Sequence, residues 1–403
     1  MSNAPASQKP LIVQKYGGAT LESPEKIRAV AARISEQSKS HNLIVAVSAM
    51  GQTTNQLLDL AQKVSVNPSR RELDMLLTTG ERVSMALLSM ALNDLKTPAI
   101  SFTGSQAGIL TDDSHVNAFI QDLKPQRVEQ ALREKKVAVI AGFQGVSPVT
   151  KEITTLGRGG TDTTAVAMAA YFKAERCEIL KDVPAIFSAD PRIVSDAQSI
   201  SKLNYDQLME MTFWGAKVLH YRSVELAKLR DVKLYVGPAS DSLSEGTLIQ
   251  KGFNMYESSK PLSVNSHETV LELFLEGVRP LKAIENLTWF LNEKQIAFPQ
   301  ILRTQPKNEG TQLLLTGPLE IMRAIEKEVP QANIKINLQR FSTVTMTCTG
   351  VTSSQLFDQL LKFMDRDAIQ FSEILVSAMS VTVVVPQEQR HKTVTCLHSM
   401  MGM

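Results

Sequence analysis

The chain has 403 residues, 43% of them hydrophobic and 21% charged, with 43 basic against 41 acidic side chains and a net charge of +2. That length exceeds one typical core, and the composition is that of an ordinary soluble globular protein of two or three domains. The near-neutral balance excludes a nucleic-acid binder that works by phosphate neutralisation, and no apolar run is long enough to span a membrane.

The chain opens on an apolar strand at 11–13, followed by Lys15-Tyr16-Gly17-Gly18-Ala19-Thr20 and a helix start at Ser23-Pro24. Strand, Lys-x-Gly-Gly, then helix is a phosphate cradle. Glycine amides can approach an anion, and a helix N-terminus attracts it. The Walker spacing and the Gly-x-Gly-x-x-Gly fingerprint are both missing from this loop, which sets aside P-loop and Rossmann dinucleotide readings. Helices are predicted at 24–37, 54–65, 72–95 and 125–134. Between and after them come buried strands at 43–48, 98–102, 137–142, 178–180 and 232–236. This alternation predicts an α/β fold, a mostly parallel sheet between helices, with ligands beyond the carboxyl ends of the strands. The polar motifs fall there: Lys15, Ser48, Thr103-Gly104, Gly142-Phe143-Gln144 and Asp182.

The turn Thr154-Thr155-Leu156-Gly157-Arg158-Gly159-Gly160-Thr161-Asp162-Thr163-Thr164 precedes an alanine-rich helix. Arg158 can fork onto a carboxylate or a phosphate. The bland alternative is a strand–helix turn capped by Thr161 or Asp162. The second glycine loop around Lys15 favours phosphate chemistry.

Near residue 250 the rhythm changes, and 251–266 reads as a polar linker. Strands at 270–275, 297–303, 311–315 and 333–337 alternate with helices at 280–292 and 319–329. A second round has strands at 340–348, 369–372 and 380–385 with helices at 353–365 and 387–400. Two β-α-β-β-α copies predict tandem ferredoxin-like units, which bind small effectors or mediate assembly. The apolar runs 270–275 and 381–385 are the expected buried surfaces. Three distant cysteines, Cys177, Cys348 and Cys396, and six scattered histidines give no disulfide framework and no metal-ligand spacing. They point to a reducing, cytoplasmic compartment, and the polar start of the chain does not read as a signal peptide.

As a set, the motifs resemble the aspartokinase family. They are Lys15-Tyr16-Gly17-Gly18, Val47-Ser48-Ala49-Met50-Gly51, Glu72 to Leu77 with Thr79-Gly80-Glu81-Arg82, Ala141-Gly142-Phe143-Gln144-Gly145, the Arg158 to Thr164 turn, Ala189-Asp190-Pro191-Arg192 and Gly215-Ala216-Lys217-Val218-Leu219-His220. All seven stand in the family's order. The resemblance implies an amino acid kinase fold over 9–250, followed by ACT-like units at 267–338 and 339–403. It implies transfer of the ATP γ-phosphoryl, with Mg2+, to the side-chain carboxylate of L-aspartate, the first step towards lysine, threonine and methionine. Lys15, Asp162 and Lys217 would be catalytic. Ser48, Thr54, Glu81, Arg158 and Thr161 would line the amino-acid site. Lys15, Tyr16, Gly17, Gly18, Lys181, Asp182, Phe187, Arg192, Lys217 and Val218 would hold the nucleotide, with no metal site built by the protein alone. The expected partners are a second copy of the chain and a lysine or threonine effector, with no nucleic acid and no membrane.

The residues suit that chemistry. A carboxylate nucleophile is already ionised at neutral pH, so the site must chiefly bring two anions together and stabilise charge in transit. A zwitterionic substrate suits Arg158 for a carboxylate and Glu81 for the ammonium group. Departures from the family pattern are Ala19 and Thr20 for Thr-Ser, Pro184 and Ala185 in the nucleotide stretch, and Tyr221 for proline. Cys348-Thr349-Gly350-Val351 stands where the family has its effector turn. The alternatives are another carboxylate kinase of this fold and a non-catalytic amino-acid sensor.

Overall fold

A computed structural model describes residues 9–238, 245–252, 259–294, 296–331 and 336–402. The chain folds as two compact units. The N-terminal unit holds Met1–Ile186, Ser199–Thr212 and Lys217–Asn254; the C-terminal unit holds Phe187–Gln198, Phe213–Ala216 and Met255–Met403. The boundary is therefore not one point near residue 250, because two short segments of the kinase-like sequence belong to the second unit.

In chain order the first unit contains β1 (Leu11–Tyr16), α1 (Pro24–Ser38), β2 (Asn42–Val47), α2 (Thr53–Val64), α3 (Arg70–Asp94) and β3 (Ala99–Phe102). Then come β4 (Ile109–Thr111), β5 (Ile120–Leu123), α4 (Gln126–Arg133), β6 (Val137–Ala141), β7 (Gln144–Val146), β8 (Ile153–Thr155), α5 (Gly160–Tyr171) and β9 (Arg176–Leu180). The short strands β10 (Ile186–Phe187), β11 (Ser199–Ile200) and β12 (Lys202–Leu203) lead to α6 (Tyr205–Phe213), α7 (Tyr221–Arg230), β13 (Leu234–Gly237) and β14 (Thr247–Ile249).

Eight strands form one sheet in the order β12-β14-β13-β9-β1-β2-β6-β3. Every neighbouring pair is parallel except β13–β14. The strands are nearly continuous apolar runs because helices cover both faces. On one face Ile12, Tyr16, Val45, Val47 and Val139 pack with Ile27, Val30 and Ile34 of α1 and with Leu88 and Leu92 of α3. Each such side chain contributes about 1.5–3 kcal/mol by leaving water. Helix α5 is buried from Gly160 to Ala169. Its alanines and threonines are small and apolar enough on every side for a helix enclosed all round. Helix α1 begins as expected, with Pro24 in its first turn and the Ser23 hydroxyl accepting from Lys26 N at 3.3 Å; such a cap is worth about 1 kcal/mol.

The second unit contains β15 (Pro261–Glu276), α8 (Pro280–Glu293), β16 (Gln300–Lys307), β17 (Gly310–Thr316), α9 (Leu319–Glu328) and β18 (Ile336–Cys348). It ends with α10 (Ser354–Arg366), β19 (Glu373–Val376), β20 (Ser380–Val385) and α11 (Arg390–Ser399). All six strands share one antiparallel sheet, β16-β17-β15-β18-β20-β19. Two expectations change here. The strands read at 333–337 and 340–348 are one strand, β18, with 333–335 outside the described residues. The end of the supposed linker is also strand: Pro261 to His267 pair with Cys348 to Thr343, while Val270 to Leu275 pair with Phe341 to Ile336. The two repeats thus share their long central strands, and the strand opening the second repeat's half precedes the first repeat in the chain. The apolar runs are buried as expected, with Leu271, Leu273 and Leu275 in one core and Val381, Val383 and Val385 in another.

Candidate active site

Residues alternate faces along β1, so Lys15 and Tyr16 cannot look the same way. Lys15 points towards α5, where its Nζ lies 2.8 Å from Asp162 Oδ1, with the two side chains 10% and 8% exposed. Tyr16 goes the other way, into the core with α1 and α3; only its backbone remains for a ligand. β1 is flanked on both sides by β2 and β9, which fixes the height of Lys15 at the carboxyl end of the sheet. The Gly17-Gly18 turn follows at once. A Cβ on Gly18 would stand 2.8 Å from the Ala49 carbonyl oxygen, so this approach to the loop after β2 requires glycine. Thr20 turns inward, donating its hydroxyl to Gly17 O at 2.7 Å.

The turn before α5 departs from the capping expectation. Neither Thr161 nor Asp162 is the cap; Gly159 takes that place at φ 69° with no side-chain bond to the helix. A Cβ there would fall 2.1 Å from His220 Cβ, so both space and backbone demand glycine. Gly160 N is taken by Gly157 O at 3.0 Å, and with no side chain capping the helix its positive end still favours an anion. Thr161 and Asp162 occupy that first turn instead. Asp162 meets Lys15, and Thr161 Oγ1 accepts a 3.0 Å hydrogen bond from Ser48 Oγ. Arg158 is exposed at the tip of the turn, between Gly157 at φ 73° and Gly159.

Glu81 lies on the buried stripe of α3. Its Oε1 accepts from Ala49 N at 3.0 Å, and its Oε2 is buried with no partner among the described residues. Burial pushes the carboxyl up from 4.5 to about 7, against the opposing pull of the Ala49 amide. An unpartnered buried carboxylate oxygen is costly and is suited to a cation. Thr54 stands half-buried in the first turn of α2. The structure therefore brings together Lys15, Ser48, Thr161 and Asp162, and joins Glu81 to the loop after β2.

Lys181 follows β9 and donates its Nζ to the carbonyl of Val218. Burial lowers its pKa. Lys217 and Asp182 are exposed and Val218 is half-buried. Phe187 and Arg192 belong to the C-terminal unit. Arg192 is engaged there by Asp190, its Nε and Nη2 donating at 3.0 and 2.7 Å. In the same unit Ser188 pairs with His398 at 2.9 Å, and Ala189 and Val194 join the core of α10 and α11. Among the described residues no group of three or more His, Cys, Asp or Glu side chains is placed to hold a metal ion.

Sequence reasoning missed Asp74 and Arg222. Asp74 is wholly buried and accepts from Val116 N and Thr155 Oγ1. Arg222 donates to Leu156 O and Ala118 O. The signal for Asp74 was an acid on the inward stripe of a helix, two turns before Glu81. No local pattern marks Arg222.

Residues 10–238 match the family described as the amino acid kinase family. The aspartokinase of Corynebacterium efficiens is 53% identical over 405 residues, covering 96% of this chain and 95% of its own. The aspartokinase of Bacillus sp. (strain MGA3) is 36% identical over 397 residues, covering 96% of both. The crystal structure of E. coli aspartokinase III in complex with aspartate and ADP (R-state) shares the fold, with a TM-score of 0.79 at 21% identity over 98% of this chain and 100% of that one. The same enzyme with lysine and aspartate (T-state) gives 0.73 at 21% identity, with the same coverage of each chain.

Proposed function

We infer, for a chain that belongs to the amino acid kinase family and is an aspartokinase, how its own residues divide the work of moving the ATP γ-phosphoryl to the side-chain carboxylate of L-aspartate. The observation that carries the division is the buried Lys15–Asp162 pair at the end of a central strand, beside Ser48 and Thr161. The aspartate carboxylate attacks phosphorus, the bond to the β,γ-bridging oxygen breaks, and ADP leaves. No proton must be removed from the nucleophile. Lys15, held by Asp162, meets the non-bridging oxygens of the γ-phosphoryl, together with the amides of Gly17 and Gly18. Ser48 and Thr161 line the acceptor pocket with Thr54. Arg158 forks onto one carboxylate of aspartate, and the free oxygen of Glu81 takes its ammonium group.

Lys181, Asp182, Lys217 and Val218 serve the nucleotide, with Tyr16 contributing through its backbone. Phe187 and Arg192, which the resemblance gave to the nucleotide, stand in the C-terminal unit and are left out of this subsite. Magnesium arriving on the nucleotide phosphates would meet one protein carboxylate, Asp162, through water. Bound there, the ion would neutralise phosphate charge. We keep the division into a kinase domain at 9–250 and ACT-like domains at 267–338 and 339–403 as functional territories. The product feeds amino-acid biosynthesis; we assign it to the lysine, threonine and methionine branches and to the cytoplasm. The relatives leave the other carboxylate kinase and the sensor unsupported.

Arg158→Lys tests the subsites. Lysine keeps the charge and loses the planar fork. A charge-assisted hydrogen bond is worth about 1.5–3 kcal/mol, so the aspartate KM should rise roughly 10- to 100-fold while the ATP KM stays within about twofold. An ADP-release assay with each substrate varied in turn measures both. The reverse pattern would exchange the two subsites.

We assign assembly to the C-terminal unit, whose β16 and β19 edges stand at the ends of its sheet. A homodimer or larger homo-oligomer should form in amino-acid-free buffer. Sedimentation at micromolar concentration decides this, and a monomer refutes it. Lysine or threonine is the expected effector, and inhibition by neither in a titration rejects that part.

A further inference from the structure

We propose that Asp74 is a positioning residue for phosphoryl transfer: it ties the helix that carries Glu81 to the turn that carries Arg158, and so sets the spacing of the two groups that hold aspartate. The proposal rests on the reading of Glu81 and Arg158 above. Asp74 and Glu81 are seven residues apart on α3, two helical turns along one buried stripe. Asp74 is wholly buried and meets donors from two other segments. Oδ1 accepts from Thr155 Oγ1 at 2.6 Å and from Val116 N at 3.1 Å. Oδ2 lies 3.2 Å from Val116 N and 2.7 Å from His115 Nδ1.

Both segments touch the Arg158 turn. Thr155 ends β8, immediately before Leu156 and Gly157. Val116 sits at φ 71°, a left-handed conformation that a β-branched residue adopts only when its surroundings impose it. The carboxylate of Asp74 on the Val116 amide is such an imposition. The Val116-Asn117 pair then packs on Gly157: a Cβ at 157 would stand 2.9 Å from Asn117 Oδ1 and 3.0 Å from Val116 O. Arg222 laces the far side, donating to Leu156 O at 2.8 Å, Asn117 Oδ1 at 3.0 Å and Ala118 O at 2.8 Å. Ala118 N closes the ring on Thr155 O at 2.8 Å. The turn is thus gripped from both shoulders, and Asp74 is where that grip is anchored to α3.

Asp74→Asn keeps the size of the side chain but removes its charge and one of its two acceptor oxygens, and the amide nitrogen it introduces cannot accept from Val116 N. A small displacement of an orienting group is costly for a reaction that depends on alignment. We expect the aspartate KM to rise about tenfold and the ATP KM to stay within about twofold. The double variant with Arg158→Lys should be no worse than Arg158→Lys alone, because both act through one turn. Thr155→Val removes a donor from the other end of the same bond and should repeat the pattern, which keeps the test open if Asp74→Asn does not fold. Circular dichroism establishes folding, and ADP release with each substrate varied gives the constants. An unchanged aspartate KM in a folded Asp74→Asn chain, beside an impaired Arg158→Lys, overturns this proposal alone. So does a joint rise of both KM values, or a double variant whose losses multiply. An unchanged aspartate KM in Arg158→Lys overturns the underlying reading and this proposal with it.

Discussion

Replacing Lys15 by alanine is expected to lower kcat by about two to four orders of magnitude, the scale for losing one preorganised cationic or hydrogen-bonding group at a transferring phosphoryl. The expectation follows from where the side chain sits. Its strand is bonded on both sides, its ammonium group lies 2.8 Å from Asp162, and both groups are nearly closed to solvent. Little reorganisation is needed when charge develops on the γ-phosphoryl. The same burial means that alanine leaves Asp162 without its cation, and breaking a buried pair destabilises by about 3–5 kcal/mol. Turnover must therefore be read at a temperature where the variant is folded, checked by its thermal melt. Lys15→Arg, which keeps the charge, separates the two effects. Turnover in folded Lys15→Ala within about tenfold of the parent would remove Lys15 from the chemical step.

The second large effect concerns Glu81. Its carboxyl is raised to about 7 by burial, with one oxygen on Ala49 N and the other unpartnered among the described residues. Only the ionised form pairs well with an ammonium group. The value of kcat/KM for aspartate should rise with pH up to about 7 and level off above it, falling about tenfold per pH unit below. Once aspartate is bound, its ammonium draws the carboxyl down again, so kcat at saturation should be flat over the same range. Glu81→Gln should lower kcat/KM roughly 10- to 100-fold and abolish the inflection. Stability moves the opposite way. The folded carboxyl lies above its ordinary 4.5, so the folded chain binds the extra proton, and stability declines as pH rises from about 4.5 to about 7. The glutamine variant should flatten that decline. A wild-type kcat/KM for aspartate that does not change between about pH 6 and 8 would take Glu81 out of ammonium binding.

Much of the N-terminal unit was legible because its signals are local. Apolar runs bounded by glycines and caps marked β1, β2 and β6, and Ser23-Pro24 marked the start of α1. The Arg158 turn was visible because only glycine accepts the backbone at 157 and 159. Its cap was misread. Threonine and aspartate are common caps, and only the close approach of His220 reveals why Gly159 holds that place. The C-terminal repeats were legible as elements but not as a topology. Length and pattern could not tell two strands from the one long β18, since the register joining 261–267 to 343–348 depends on residues far apart in the chain.

By itself the sequence determined the elements, the two glycine loops and the residue types that phosphoryl transfer to a carboxylate requires, because turn chemistry and apolar periodicity act over a few residues. Tertiary structure alone decided which of those residues meet. It set Lys15 against Asp162 and sent Tyr16 to the opposite face. It placed 187–198, and with it Arg192, in the C-terminal unit. Among the described residues it also gave Asp74 three partners and Glu81 an oxygen with none. The physical reason is one of range. A buried carboxyl acquires its partners and its proton affinity from segments brought together by packing, and that environment is not written in its neighbours along the chain.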